Sequence, residues 1–201
     1  MRGVVPHGTG GRMTLADGTT LDADRVVVTA GPCVNEVLPD LSLPVRATRQ
    51  QVCYLGGLPT AQFGVGPFPV FLAGMHYSGF PLIGDGWFKV ASHRIGATVD
   101  PNNPYQVDMA EVADVRAFLQ RTIPAAAEAP LVSTDCCMDD MSPDEDRILD
   151  THPNGSGVVI GSGFSGHGFK FSIVVGELLA ALPLEQPPVL PMAKFRLARF
   201  Q

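Results

Sequence analysis

Gly161-Ser162-Gly163-Phe164-Ser165-Gly166-His167-Gly168-Phe169-Lys170-Phe171 carries more potential chemistry than any other stretch of this 201-residue chain. It follows a short apolar run, Val158-Val159-Ile160, and leads into a helical pattern of Ile173, Val174, Glu177, Leu178, Ala181 and Leu182. Glycines at such a strand-to-helix turn let the backbone approach a bound molecule closely. The unpaired N–H groups at the start of the helix then point partial positive charge toward that molecule. His167 and Lys170 stand where a first helical turn ordinarily favours Asp or Glu. An electron-rich group is therefore expected in front of this turn.

Gly161-x-Gly163-x-x-Gly166 after a strand also satisfies a dinucleotide-binding glycine pattern. That pattern needs a second parallel strand with an acidic residue about 20 residues on. Here Pro187-Pro188 follows the helix, and Glu185 precedes those prolines instead of ending a strand. The dinucleotide reading is set aside.

The segment GFSGHGFKF stands intact as the flavin-facing loop of the monomeric sarcosine oxidase and N-methyltryptophan oxidase family, which this chain resembles. Cys137-Met138, Met141-Ser142-Pro143-Asp144-Glu145-Asp146 and Ile148-Leu149-Asp150 resemble that family's flavin-attachment segment. Tyr77-Ser78-Gly79-Phe80-Pro81, Gly86-Trp87-Phe88-Lys89-Val90 and His93 echo its substrate-lobe strands, and Arg49-Gln50 the strand that enters that lobe. Residues 23–31 resemble the last strand and turn of its FAD-binding lobe. The glycine-rich βαβ unit that grips the ADP half of FAD in the family has no counterpart before residue 25. The chain thus reads as the C-terminal portion of a longer flavoenzyme, expected to bind FAD weakly or not at all without an N-terminal lobe.

The resemblance implies roles for particular residues. FAD is contacted by Met138, Gly163, Phe164, Gly166, His167, Gly168 and Lys170, and bonded covalently through Cys137. Lys89 promotes the reaction of reduced flavin with oxygen, while His93 and His167 lie beside flavin and substrate. Lys170 faces the substrate carboxylate and Tyr77 lines its cavity. The residues alone admit blander readings: a strand lysine on the wet side of a sheet, a buried cysteine packing as a small hydrophobe, a satisfied core histidine. Alternation sends Cys136 and Cys137 to opposite faces of their strand, and the Met138 that follows selects Cys137. Where the family usually continues with Tyr and a hydroxyl residue, this chain has Asp139-Asp140. The acidic run 139–146 lacks a metal-ligating histidine or regular loop spacing, so it reads as a solvated turn and no metal is expected.

Around these residues the pattern is mostly strand. Ala16-Asp17-Gly18 signals a hairpin between strands at 13–15 and 20–21, and 25–29 is a buried valine run. Segments 45–55, 69–73, 76–80 and 87–92 form a strand-rich lobe. Met109, Val112, Val115, Phe118 and Leu119 share one face of a helix over 108–122, ended by Pro124. Strands follow at 131–138 and 147–150, and Pro187, Pro188 and Pro191 predict an extended surface tail. The fold class is α+β: the truncated end of an α/β FAD-binding lobe (1–44), an antiparallel substrate lobe (45–130), a return to the FAD-binding lobe with its flavin-facing helix (131–185), and a tail (186–201).

Hydrophobic residues make up 45%, enough for a core. Charged residues are only 17%, below the usual 25% or so, so part of the surface reads as meant for burial. Net charge −6 and pI near 5.2 argue against a nucleic-acid or anionic-membrane partner. No apolar run reaches membrane-spanning length, the start lacks a signal segment, and the four cysteines form no small-domain framework. The default location is the cytoplasm. The function implied by the resemblance is oxidation of a secondary amine of an N-methyl or cyclic amino acid, with oxygen reduced to hydrogen peroxide. The alternative is a non-catalytic remnant or interaction module that no longer binds FAD.

Overall fold

The computed structural model describes residues 2–74, 76–83, 86–103, 106–154 and 157–200. In chain order its strands are β1 (Gly3–His7), β2 (Gly10–Thr14), β3 (Thr20–Ala23), β4 (Val26–Val28), β5 (Arg46–Leu55) and β6 (Phe71–Ala73). β7 (Tyr77–Ile83), β8 (Trp87–Ser92), β9 (Leu131–Met141), β10 (Ile148–Thr151) and β11 (Val158–Ser162) complete the set. The α-helices are α1 (Val34–Val37), α2 (Thr60–Phe63), α3 (Met109–Thr122), α4 (Pro124–Ala127) and α5 (Ser172–Ala181). This α+β chain divides into two compact units, Met1–Thr48 with Val99–Pro101 and Asp139–Gln201, and Arg49–Thr98 with Asn102–Met138.

The first unit holds two three-stranded sheets. β1, β2 and β3 form an antiparallel meander whose β2–β3 connection contains Ala16-Asp17-Gly18. Gly18 takes the left-handed φ of 90° that the turn requires, and Asp17 Oδ1 accepts the Thr19 N–H at 2.9 Å. In the second sheet, β11 lies between β10, antiparallel, and β4, parallel. Val158 and Ile160 join Val26, Val28 and Ile148 in one core cluster, while Val159 joins Leu149 and the α5 residues Val175, Leu178 and Leu179 in another. β11 is therefore buried on both faces, which explains why its sequence is continuously apolar instead of alternating.

The tail differs from the extended segment its prolines suggest. Residues 193–195 and 197–200 form two 3₁₀ turns. Arg196 pairs with Asp150 at 2.7 Å, Arg199 with Asp144 at 2.7 Å, and Lys194 with Asp146 at 2.8 Å. Met192 is buried beside α5. Proline restricts only its own neighbourhood; the basic residues beyond Pro191 then dock on the acidic segment.

The second unit is built on one five-stranded sheet of order β6-β7-β8-β5-β9, antiparallel at β6–β7, β7–β8 and β8–β5. Cys53, Leu55, Phe88 and Val90 form one face and pack with Val112, Val115, Phe118 and Leu119 of α3. Asp108 caps α3, its carboxylate accepting the Ala110 N–H at 2.9 Å. Met109 is 63% exposed, correcting its expected place on the buried face. Pro124 does not merely end α3: it opens α4, where its missing N–H costs nothing. No helix among the described residues is long and apolar enough to cross a membrane.

Candidate functional site

In the first unit β11 ends at Ser162 and the chain turns sharply. Gly163, Ser165 and Gly166 take left-handed φ values of 68°, 51° and 75°. Such a φ is uncommon for serine, and hydrogen bonds hold Ser165 in it. Its N–H donates to the Asp140 carbonyl at 3.1 Å, and its hydroxyl donates to the Gly163 carbonyl at 3.1 Å and accepts the Ser142 N–H at 3.3 Å. The Asp140 carboxylate pins the turn by accepting the Gly163 N–H at 2.7 Å, the Phe164 N–H at 3.1 Å and the Ser162 hydroxyl at 3.3 Å. Burial pushes the Asp140 carboxyl above its ordinary range, and these hydrogen bonds offset the shift only in part. Larger residues do not fit here. A Cβ on Gly166 would stand 2.6 Å from an Asp139 carboxylate oxygen, and one on Gly168 2.8 Å from the Phe164 Cβ.

His167 follows the turn half-buried, its Nδ1 3.4 Å from Arg147 Nη2. Lys170 lies in the 3₁₀ turn Phe169–Phe171 that precedes α5, one step earlier than a first-turn position. Its ammonium is exposed, 5.4 Å from the Phe171 ring centre. Beside the turn is an open cavity of about 540 Å³ lined by Thr29, Asp140, Phe164, Gly166, Phe169 and Gly176 among others. Gly176 sits mid-helix in α5, with nothing within 4 Å of where a Cβ would stand. Phe169 and Ile173 are 93% and 90% exposed.

In the second unit, Lys89 of β8 pairs with Tyr54 of β5 and with Phe80 of β7. Directly paired residues share a sheet face. The Lys89 ammonium lies 5.3 Å from the Phe80 ring centre, and the Tyr54 and Trp87 rings meet at 5.7 Å and 58°. Together with Pro81 and Ile83 they line a cleft of about 180 Å³. Burial first, then the neighbouring Asp135 on β9 and Cys137, push the Tyr54 hydroxyl's pKa up. Alternation along β9 places Cys137 on the same face as Asp135. Cys136 points to the other face, where its thiol reaches Gln51 Oε1 at 3.7 Å. Met138 shares the register of Cys136. Cys137 is exposed, and none of the four cysteines is in a disulfide.

Tyr77 lies elsewhere than its expected cavity-lining role requires. It belongs to the core face, opposite Lys89, with its ring stacked 4.0 Å from Phe118 and its hydroxyl donating to Asp114 at 2.7 Å. Strand alternation is the cause: Ser78, paired with Ala91, takes the Lys89 face instead. The Ser78 hydroxyl bonds His93 Nε2 at 2.6 Å. Arg49 is a strut, bonded at 2.7 Å to both Asp108 and Glu111 at the start of α3.

Asp140, Ser165 and Arg147 surround the turn without any local sequence signal that places them there. The acidic run reads as a solvated turn when the strand is taken to end at 138. In fact β9 continues to Met141 and carries Asp140 inside. The expected turn begins only later: the Arg199 guanidinium holds Asp144 down to about 2. No cluster able to hold a metal ion occurs among the described residues.

Architecture of this kind has counterparts among solved structures. The solved structure of iminodiacetate oxidase from Chelativorans sp. BNC1 matches with a TM-score of 0.76 at 22% identity, covering 96% of this chain and 51% of that one. The family of FAD dependent oxidoreductases (DAO) matches residues 2–182, and this chain belongs to that family. It is 37% identical over 191 residues to the peroxisomal sarcosine oxidase of Homo sapiens, covering 89% of this chain and 48% of that protein. It is 34% identical over 203 residues to the N-methyl-L-tryptophan oxidase of Yersinia pestis (strain Pestoides F), covering 97% and 53%. The chain thus spans about half the length of the curated relatives it matches.

Proposed function

We propose that the protein to which this chain belongs is an FAD-dependent amine oxidase of the sarcosine oxidase type. It acts on the secondary amine of an N-methyl or cyclic amino acid and reduces oxygen to hydrogen peroxide. The observation that carries the reading is the shared sheet face of Lys89 and Cys137, linked through Tyr54. One surface thereby offers both a cation suited to oxygen chemistry and a thiol suited to tethering a cofactor.

The glycine turn fits a cofactor on its own evidence. Its cavity of about 540 Å³ lies within the 300–1,000 Å³ or so of ligand sites. The mid-helix Gly176 leaves space that any side chain would fill, at a cost to helix stability of about 0.5–1 kcal/mol. Exposed Phe169 and Ile173 offer apolar surface. Gly163, Phe164, Gly166, His167, Gly168 and Lys170 would hold FAD, and Cys137 would tether it by a thioether. When bound, FAD supplies the two-electron oxidation of the amine and the return of electrons to oxygen. Lys170 binds the substrate carboxylate, since a charge-assisted bond complements it before and during the reaction. Lys89 stabilises negative charge developing on oxygen, and His167 and His93 set the polarity around the amine.

The test uses the FAD-loaded, full-length protein. Anaerobic addition of sarcosine, other N-methyl amino acids or cyclic amino acids should bleach the oxidised-flavin absorbance, and admitting air should restore it with formation of peroxide. Failure of every such amine to bleach the flavin would overturn the proposal. For the tether, Cys137→Ser should release flavin on acid denaturation while Cys136→Ser retains it; the opposite pattern would place the bond on Cys136.

A further inference from the structure

We propose that Arg147 is a positioning residue that fixes the tautomer of His167, keeping the imidazole proton on Nε2 as a hydrogen-bond donor. The use of that donor rests on the oxidase reading above; the tautomer itself does not.

Arg147 immediately precedes β10, and its Nη2 lies 3.4 Å from His167 Nδ1. A guanidinium carries only donors and keeps its charge in proteins. Nδ1 must therefore accept, and a neutral imidazole with an unprotonated Nδ1 carries its one proton on Nε2. The guanidinium is held in place by aromatic faces. The Phe171 ring centre is 4.5 Å from its central carbon and the Phe195 ring centre 5.8 Å, so the head group bridges the turn before α5 and the docked tail. Among the described residues its buried Nε has no hydrogen-bond partner, and those rings and His167 set the plane. A lysine would supply a point charge here but neither the plane nor the stacking.

The consequence concerns what binds. Three residues apart on one turn, His167 offers Nε2–H and Lys170 offers its ammonium, and neither can accept a hydrogen bond in this state. The complementary atom is an acceptor oxygen, such as that of a carboxylate. Without Arg147, His167 could present a bare Nε2 lone pair to the same oxygen, and the contact would turn repulsive.

The experiment is nitrogen-15 NMR of histidine-labelled holoenzyme, with His167 assigned by its loss in His167→Gln. Wild type should show His167 as the Nε2–H tautomer, with a hydrogen-bonded Nδ1. In Arg147→Met the Nδ1–H form should rise about tenfold relative to wild type, the lower end expected for a hydrogen bond to a charged group. Arg147→Lys should restore part of the effect. Buried His152 serves as the internal control for folding. Its Nδ1 accepts the Asn154 N–H at 3.3 Å and its Nε2 faces Asp40 at 3.1 Å, so its signals should not move. If His152 does shift in Arg147→Met, the wild-type and Arg147→Lys spectra decide the matter alone. An Nδ1–H tautomer in wild type, or an unchanged His167 in Arg147→Met with His152 intact, would overturn the inference. Amine oxidation is scored separately on the same protein, so an oxidase with the wrong tautomer sinks only this proposal, and a correct tautomer without amine oxidation sinks only the functional reading.

Discussion

The glycine turn of residues 163–168 is held in shape by individual side chains, whereas the Lys89 face of the five-stranded sheet follows from strand alternation repeated across β7, β8, β5 and β9. In the turn, the Asp140 carboxylate satisfies the N–H groups of Gly163 and Phe164, and hydrogen bonds to Asp140, Ser142 and Gly163 keep Ser165 at a positive φ. On the sheet, Lys89 is placed by backbone pairing with Tyr54 and Phe80, and its side chain lies against the Phe80 ring. The difference separates two kinds of vulnerability. A substitution in the turn should cost stability and geometry together. On the sheet face it should alter chemistry while the fold stands.

The sharpest test of that contrast is Lys89→Met. A fixed cation about 4 Å from developing negative charge is worth up to about 4 kcal/mol at an effective dielectric of 20, or about a thousandfold in rate. Re-oxidation of the reduced holoenzyme should slow by up to that factor, with anaerobic reduction and thermal stability little changed. Stopped-flow traces of the two half-reactions would show it; a loss confined to anaerobic reduction would remove Lys89 from oxygen chemistry.

In the turn, Asp140→Ala should give the next largest effect, now on stability. It strands the buried Gly163 N–H and the part-buried Phe164 N–H at about 1–3 kcal/mol each, so a loss of about 3 kcal/mol is expected. Asp140→Asn keeps one of the two acceptor oxygens and should lose about half as much. Denaturant titration of both variants checks the order, and equal losses would mean that volume, not hydrogen bonding, is what Asp140 supplies.

These two residues also show what could be read from the sequence. The alternation Trp87-Phe88-Lys89-Val90-Ala91 is a local rule, and the sheet follows it: Phe88 and Val90 are fully buried while Lys89 faces the opposite way. The opposed faces of Cys136 and Cys137, the β2–β3 hairpin, the α3 helix and the strand-to-turn passage at 158–163 were readable for the same reason. The role of Asp140 was not, because nothing local says that β9 runs on to Met141 or that the carboxylate meets two N–H groups more than 20 residues downstream. The sheet face of Tyr77 is a different case. Its motif is legible, but one residue of register moves a side chain to the other face of a sheet. The tail's docking depends on ion pairs about 50 residues apart, which no turn signal encodes.

Lys170→Met is the intermediate case, since Lys170 is close to the turn yet exposed and free of its hydrogen-bond network. It should leave stability unchanged and weaken substrate binding by about 10- to 100-fold, the range of one charge-assisted bond. Re-oxidation should not change. A binding loss that equally affected an amine lacking a carboxylate would contradict the assigned partner.

The smallest effect concerns pH and sets Asp140 against Asp144, four residues away. Asp144 accepts from Arg199 Nε at 2.7 Å and Nη2 at 3.1 Å, and its carboxyl is held down to about 2, below the ordinary 3.8. The folded state therefore binds this proton less tightly than the unfolded chain. Its stabilisation is present above pH 3.8 and fades as the pH falls through about 2. Because the Asp144 side chain is 40% exposed, screening limits the contribution to about 1 kcal/mol or less. Wild type should thus exceed Asp144→Asn by that amount near neutral pH, and the two should converge in acid. Asp140 has the opposite sign. Burial raises its pKa, so the folded state holds that proton more tightly, and wild type should lose ground to Asp140→Asn as the pH rises through the raised value. Thermal melts of the three proteins across the acid range would reveal the two slopes. Slopes of the same sign would mean that the carboxylate pinning the glycine turn is as well solvated as the one outside it, and the contrast between a buried polar turn and its exposed surroundings would fail at its most specific point.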